Sequence, residues 1–183
     1  MNRIEEAVVE VAGGLTAANL EYAIFGGAAL MMHGSARSTE DVDLTVWLGT
    51  QSIESAVTTL TRRWPSRISN PVEFAERSRV LTVTLANGVA ADIVFGALDF
   101  ERDAIGRAET RQVLGETVRL IAPADLILHK AVSARARDQE DVTFLIRRFR
   151  NSLDREKLER TVRDTAASMG EPEVFERFQS AWR

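Results

Sequence analysis

Cysteine is absent from the 183 residues of the sequence, and histidine occurs only twice, at His33 and His129. The chain therefore has no disulfide, no thiolate metal ligand and no cysteine nucleophile. The two histidines are far apart in sequence and have no ligand spacing, so we interpret both as packing or hydrogen-bonding residues. Thiol chemistry is excluded, and a histidine-based metal site is not indicated.

Long hydrophobic runs are also missing. No stretch approaches the roughly 18 apolar residues that a membrane helix needs, although the overall hydrophobic content of 45% is ordinary for a globular protein. The first residues, MNRIEEAVVEVAGG, are acidic and amphipathic and lack the basic region and apolar core of a signal peptide. We therefore expect a cytoplasmic protein that does not associate with membranes.

An excess of basic charge is lacking as well. The formal net charge is -4, whereas a sequence-independent nucleic-acid binder usually carries a basic face. The segment RARDQEDVTFLIRRFR holds several arginines, but acidic residues lie among them. Mixed charges of this kind are typical of a solvated helix face.

The order of predicted elements indicates an α/β (α+β) protein. Strands and helices alternate through the first two thirds of the chain, and the last third is helical. This pattern predicts a core with a mixed β-sheet and flanking helices over residues 1–120, followed by a helical C-terminal portion over residues 121–183. No linker marks the boundary, so the two parts are also compatible with a single domain.

Two local predictions bear on the later argument. The apolar residues near the start recur at helical spacing, and we expect that first helix to be interrupted or to end near Gly13 and Gly14. Farther on, RVLTVTLANGVAADIVFG predicts a hairpin, with Asn87-Gly88 as a two-residue type I′ turn. That turn would place Asp92 opposite Val83, on an apolar face, so either a bulge shifts the register or this face carries the metal site.

One stretch, FGGAALMMHGSARSTEDVDLTV, carries the chemistry. Side chains alternate along a strand, so Asp41 and Asp43 point to the same face. An unpaired buried carboxylate is costly, and a hard divalent cation suits such a pair. Gly26-Gly27 lies between a strand and a helix, where backbone N–H groups are available to a phosphate. Together these features favour nucleotide chemistry.

The arrangement resembles a known superfamily. A Gly-Gly pair, a short helix and an Asp-apolar-Asp strand are the signature of the nucleotidyltransferase (DNA polymerase β-like) fold, and here thirteen residues separate Gly27 from Asp41. The longer segment GGAALMMHGSARSTEDVDL resembles the AbiEii-like branch of this superfamily, which includes toxin-like proteins. The segment ILHKAVSARARDQEDVTFL resembles the downstream lysine-then-aspartate helix of that branch. The resemblance covers roughly residues 22–145.

The resemblance implies a mixed-sheet fold and a set of catalytic carboxylates. Asp41 and Asp43 would be metal ligands and catalytic residues, and Asp92 would be the third carboxylate on a later strand. The cofactor would be Mg²⁺ or Mn²⁺, and the substrate an NTP such as ATP. Alternatively, Asp92 is a strand-end aspartate that binds backbone N–H groups or an arginine.

The resemblance also implies a nucleotide-binding set. Its members are Gly26, Gly27, Arg37, Thr39, Lys130 and Asp138. For several of them a structural role is equally compatible with the sequence: Arg37 could pair with Glu40, Lys130 could lie along a half-buried helix face, and Asp138 could cap a helix or form a salt bridge. One continuous helix would put Lys130, Asp138 and Asp141 on the same side.

The sequence therefore predicts an enzyme, a metal-dependent nucleotidyltransferase that moves an NMP from an NTP to a hydroxyl acceptor. The acceptor is left open among RNA such as tRNA, protein and small molecules, including aminoglycosides. A toxin–antitoxin context with a partner protein is one expectation. The alternative is a catalytically idle member of the fold that acts as a nucleotide sensor, an antitoxin or a partner subunit.

Overall fold

The computed structural model describes residues 2–182, and within them the chain forms two compact units. The first unit ends at Ile121 and the second begins at Ala122. Across the described residues, no helix has both the length and the apolar character needed to cross a membrane. The first unit contains α1 (Arg3–Ala17), β1 (Glu21–Phe25), α2 (Gly26–Met32), β2 (Asp41–Trp47), α3 (Ile53–Thr61), α4 (Pro71–Ser78), β3 (Val80–Thr84), β4 (Ala90–Phe95), α5 (Asp99–Gly106), β5 (Glu109–Val113) and β6 (Glu116–Leu120). The second unit contains α6 (Pro123–Ala131), α7 (Ala136–Phe149), α8 (Arg155–Met169) and α9 (Glu173–Ser180).

A six-stranded mixed sheet forms the centre of the first unit. Its strand order is β3-β4-β2-β1-β6-β5. The pairs β2–β4 and β1–β6 are parallel, and the other three pairs are antiparallel. The predicted class, α/β with a mixed sheet and flanking helices, is confirmed.

Strand β2 has one apolar side and one side that carries the aspartates. Val42, Leu44 and Val46 are fully buried, while Asp41 and Asp43, on the opposite side of the strand, are only half-buried. Alternation along the strand makes this separation possible, because successive side chains point to opposite faces. The apolar side fixes the strand in the core, and the other side can therefore carry carboxylates.

The β3–β4 hairpin corrects the predicted register. Its loop has three residues, 86–88, rather than two: the Leu85 N–H donates to Val89 O at 2.9 Å, and the Gly88 N–H donates to Leu85 O at 2.9 Å. Gly88 has a positive φ of 79°, as expected for a type I turn followed by a left-handed bulge residue. Asp92 consequently pairs with Thr82, not with Val83. A slip of one residue reverses the face of every side chain, which moves Asp92 to the face of Asp43.

Helix α1 corrects a second prediction, because it continues through Gly13 and Gly14 to Ala17. Asn2 caps it, with Oδ1 accepting the Ile4 N–H at 3.1 Å. The residues Val8, Val11 and Leu15 on one side of the helix are completely buried. Burial of this apolar side outweighs the unfavourable helix propensity of the two glycines.

The second unit consists of four helices. Helix α6 contacts α7, α8 and α9. Helices α6 and α7 are separated by residues 132–135, so the continuous helix considered from the sequence is not formed. Phe178 and Trp182 pack edge-to-face with ring centroids 6.2 Å apart.

Candidate active site

Three aspartates lie on one face of the sheet. Asp43 and Asp92 are direct partners in the parallel β2–β4 pair, and Asp41 lies two residues before Asp43 on the same strand. Adjacent strands are about 4.8 Å apart, so Asp43 and Asp92 are side-by-side neighbours. All three are half-buried. The structure thus brings together the carboxylates singled out in the sequence.

The three carboxylates differ in their protein partners. Asp41 Oδ1 accepts a hydrogen bond from Thr39 Oγ1 at 2.7 Å, and Asp43 Oδ2 accepts the Gly27 N–H at 3.4 Å. Asp92 Oδ1 is buried and has no hydrogen-bond partner among residues 2–182. A buried carboxylate oxygen without a donor is unfavourable unless a cation or a proton compensates it.

The Gly-Gly turn is built closely around Asp43 and Thr39. Gly26 has a φ of 63°, and a Cβ added there would overlap the Asp43 carboxylate. A Cβ added to Gly27 would lie 2.6 Å from Thr39 Oγ1 and 2.9 Å from Thr39 Cβ. Both positions therefore require glycine, since any side chain would displace a residue of the site.

The loop between α2 and β2 carries Arg37 and Thr39. Arg37 is half-buried, and its backbone N–H donates to Ser35 Oγ at 3.2 Å. His33 begins the same loop, and its Nε2 donates to the Ile121 carbonyl at 2.9 Å. Burial lowers the pKa of His33 below its ordinary value, and the hydrogen bond to Ile121 opposes this effect only in part. His33 is thus a neutral packing residue, as the sequence indicated.

The three carboxylates have the ligand chemistry that a hard divalent cation requires. Carboxylate oxygens are the ligands that Mg²⁺ prefers, and the buried Asp92 Oδ1 lacks any compensating partner. Within residues 2–182, however, no group of three or more histidine, aspartate or glutamate side chains forms a ready-made metal centre. A role for Asp41, Asp43 and Asp92 as metal ligands therefore stays a prediction.

Lys130 lies in a buried ion cluster of the second unit. Its Nζ is 2.8 Å from Asp138 Oδ1 and 2.6 Å from Asp141 Oδ2. Ser133 Oγ donates to Asp138 Oδ2 at 2.7 Å, and Arg135 Nε donates to the same oxygen at 2.7 Å. Of the structural roles considered for Asp138, the salt bridge is the one that is formed. The nucleotide-binding roles of Lys130 and Asp138 stay predictions.

The environment of Asp138 determines its protonation. Burial by itself would raise the pKa of the Asp138 carboxyl, but hydrogen bonds from Lys130 and Ser133 and the charges of Lys130 and Arg135 outweigh it. The pKa of Asp138 is therefore held below its usual value. Asp138 is ionised at neutral pH and stabilises the ammonium group of Lys130.

Two contacts of these sites were not recognised in the sequence. Ser133 was given no role in the site, yet its hydroxyl donates to Asp138. Thr39 was selected only through the family resemblance, and its contact with Asp41 was not anticipated. A threonine two residues before a strand aspartate is the only local indication of such a bond.

Comparison with solved structures supports the fold. An antigenic nucleotidyltransferase-like protein from Paracoccidioides brasiliensis is 18% identical with a TM-score of 0.57, and the alignment covers 95% of this chain and 92% of that protein. The antibiotic-resistance factor ANT(2'')-Ia is 17% identical with a TM-score of 0.52, and the alignment covers 91% of this chain and 94% of that one. At this level of identity the likeness concerns the fold alone. Among curated protein sequences, none matches the chain significantly.

The family model is more decisive, because it matches nearly the whole chain. The model describes nucleotidyltransferases of unknown function, and it matches residues 3–183. The match includes the Gly-Gly turn, all three aspartates and the Lys130 cluster. The chain belongs to the DUF6036 family of nucleotidyltransferases.

Proposed function

We propose that this chain transfers a nucleoside monophosphate from an NTP to a hydroxyl acceptor, with a divalent metal ion bound by Asp41, Asp43 and Asp92. The observation that carries the proposal is the pairing of Asp43 with Asp92 across parallel strands. It places two like charges side by side, and one of their oxygens, Asp92 Oδ1, is buried without a partner. A divalent cation would relieve both unfavourable features.

The roles of the residues follow from their positions. A bound Mg²⁺ would polarise the phosphate oxygens and lower the pKa of the acceptor hydroxyl. The acceptor oxygen attacks the α-phosphorus in line, a new P–O bond forms, and pyrophosphate leaves with the electrons of the bond that breaks. Asp92 would hold the metal ion on the side of the acceptor and would accept the hydroxyl proton as general base.

The triphosphate would lie along the Gly26-Gly27 turn. Backbone N–H groups at the start of α2 would face the phosphate oxygens, and Arg37 on the neighbouring loop offers them a planar guanidinium. Membership of the AbiEii-like branch and a toxin–antitoxin partner belong to the same proposal. The choice of acceptor among RNA, protein and small molecules is left to experiment.

Label transfer tests the proposal. We would incubate the full chain with each α-³²P-labelled NTP, Mg²⁺ or Mn²⁺, and separate pools of RNA, protein and hydroxyl-bearing small molecules. Asp41→Ala/Asp43→Ala would abolish transfer, because it removes two of the three carboxylates. Asp99→Ala/Asp103→Ala is the matched control, since those side chains on α5 are 87% and 52% exposed and should retain full activity.

Each outcome decides the question. Label that appears in one pool, is lost with the site variant and is kept with the control supports the transferase and identifies its acceptor class. Transfer that persists in the site variant overturns the proposal. Binding of Mg·NTP without label in any pool also contradicts it and favours the idle sensor or partner subunit. Circular dichroism of both variants establishes that they are folded.

A further inference from the structure

We infer that Thr39 is a positioning residue that orients the Asp41 carboxylate for metal binding, and that it does not itself bind the nucleotide. This inference rests on the proposed function and refines it, because the family resemblance placed Thr39 among nucleotide-binding residues. Its basis is the hydrogen bond from Thr39 Oγ1 to Asp41 Oδ1 at 2.7 Å. The same hydroxyl lies 3.4 Å from the Asp41 carbonyl oxygen.

The Thr39 hydroxyl has one proton to donate, and the short bond to Asp41 uses it. A hydroxyl that donates to Asp41 presents only lone pairs to other groups. Those lone pairs repel the oxygens of a triphosphate, so direct recognition of phosphate by Thr39 is disfavoured. The geometry therefore favours a Thr39 hydroxyl that orients the Asp41 carboxylate rather than one that contacts a phosphate.

The bond also determines which oxygen of Asp41 is available. Thr39 is the only hydrogen-bond donor to the Asp41 side chain among the described residues. With Oδ1 engaged, Oδ2 accepts no hydrogen bond from residues 2–182 and is the oxygen left for a cation. A carboxylate held through one oxygen loses its rotational freedom before the metal arrives, which favours metal binding.

Gly27 holds the Thr39 side chain in this position. A Cβ on Gly27 would lie 2.6 Å from Thr39 Oγ1 and 2.9 Å from Thr39 Cβ, so the threonine packs directly against the glycine. Gly27 also donates its N–H to Asp43. The Gly-Gly turn thus contacts both aspartates of β2, one directly and the other through Thr39.

Mn²⁺ binding is the first test, because it needs neither nucleotide nor acceptor. Electron paramagnetic resonance of Mn²⁺ titrated into the full chain measures the dissociation constant. Loss of a residue that orients a metal ligand typically weakens binding by about 10–100-fold. We expect Thr39→Val and Thr39→Ala to show this loss, and Thr39→Ser to bind like the wild type. Thr110→Val, on the exposed face of β5, is the matched control.

Steady-state kinetics separate positioning from nucleotide binding. At saturating Mn²⁺, Thr39→Ala should recover most of kcat and keep the wild-type KM for NTP. A raised KM for NTP at saturating metal, with unchanged Mn²⁺ affinity, would assign Thr39 to the nucleotide and overturn the inference. If the wild type transfers label but binds Mn²⁺ no better than Thr39→Ala does, the inference about Thr39 is wrong and the proposed function stands. If the wild type neither binds Mn²⁺ nor transfers label, both the proposed function and the inference about Thr39 are wrong.

A double-mutant cycle tests the link to Gly27. Gly27→Ala should weaken Mn²⁺ binding, because the new methyl group displaces the Thr39 hydroxyl. In a Thr39→Ala background that displacement has little further effect, so the two losses should be clearly less than additive. Additive losses would show that Gly27 and Thr39 act independently, contrary to the inference.

Discussion

His33 shows how a single buried residue links pH to the stability of the first unit. Its Nε2 donates to the Ile121 carbonyl at 2.9 Å, a bond that favours the charged ring, but burial outweighs the bond and the folded protein holds the neutral form. Burial lowers the pKa of His33 from its ordinary value of 6.5. The unfolded chain therefore takes up a proton at higher pH than the folded one, and the free energy of unfolding falls as the pH drops below about 6.5.

We predict that His33→Gln removes this part of the pH dependence. The glutamine amide can also donate a hydrogen bond to Ile121 O, but it does not titrate. Urea unfolding at pH 7.5 and pH 5.5 should show a smaller loss of stability on acidification in the variant than in the wild type. Parallel pH profiles for the two proteins would contradict the stated role of His33.

The residues of the candidate site were largely predictable from the sequence, whereas their partners were not. Strand alternation alone placed Asp41 and Asp43 on one face, and the structure agrees. The position of Asp92 depended on whether Ala86 belongs to the loop or to the strand. Both assignments leave a plausible Asn-Gly turn, and the difference reverses the face of the side chain. The cross-strand pairing that decides between them is not a local property.

At the scale of elements, local signals in the sequence are strong for some segments and absent for others. Serine is a common N-cap residue, and Ser52 caps α3, with the Ser55 N–H donating to Ser52 Oγ at 3.1 Å. Strand β5 has no such local signal, because its five residues, ETRQV, show no apolar alternation and none is buried. It forms by pairing with β6 in a hairpin, so tertiary pairing overrides its weak local preference.

Helix α1 permits an element-scale prediction from two adjacent glycines. Gly13 is exposed and has nothing within 4 Å of an added Cβ, whereas a Cβ on Gly14 would overlap the indole of Trp64. Gly13→Ala should stabilise the protein by about 0.5–1 kcal/mol, because alanine restricts the unfolded chain and favours the helix. Gly14→Ala should destabilise it by about 1–3 kcal/mol through overpacking.

Thermal and urea denaturation of the two single variants measure the contrast. Each variant serves as the control for the other, because the chemical change is the same and the positions are neighbours in one helix. The Trp64 indole N–H, which donates to Glu10 Oε1 at 2.7 Å, limits how far the ring can move to make room. Equal effects at the two positions would be incompatible with the packing of α1 against Trp64.

At the scale of the whole molecule, charge is arranged differently in the two units. In the first unit, the aspartates of the candidate site lie on a half-buried face, and one of their oxygens has no partner. In the second unit, Lys130, Asp138 and Asp141 are at most 7% exposed and satisfy one another at 2.8 and 2.6 Å. The first arrangement favours an external cation, whereas the second already contains its cation. This difference indicates a structural contribution from Lys130, whatever its role toward a nucleotide.

Lys130→Met tests that contribution, since methionine is an unbranched side chain that is shorter by only the terminal ammonium group and carries no charge. The change leaves two carboxylates buried without their shared cation, and breaking a buried ion pair in this way costs about 3–5 kcal/mol. Lys157→Met, at an exposed position on α8, is the matched control and should change stability by no more than about 0.5 kcal/mol. Urea unfolding at pH 7, with hydrogen exchange of the α6 and α7 amides, measures the effect.

The pH dependence of the stability loss caused by Lys130→Met gives a second measurement. In the wild type, the pKa of Asp138 is held below its ordinary value, so its stabilising contribution is present at neutral pH and is lost only as the pH falls through that lowered pKa. Without Lys130, two of the effects that lower this pKa are lost, so Asp138 becomes easier to protonate. Protonation relieves the unpaired charge in the variant and weakens the cluster in the wild type, so the stability difference should shrink as the pH falls from 7 toward 4. If the difference in the free energy of unfolding stays constant over this range, the variant has lost packing rather than charge.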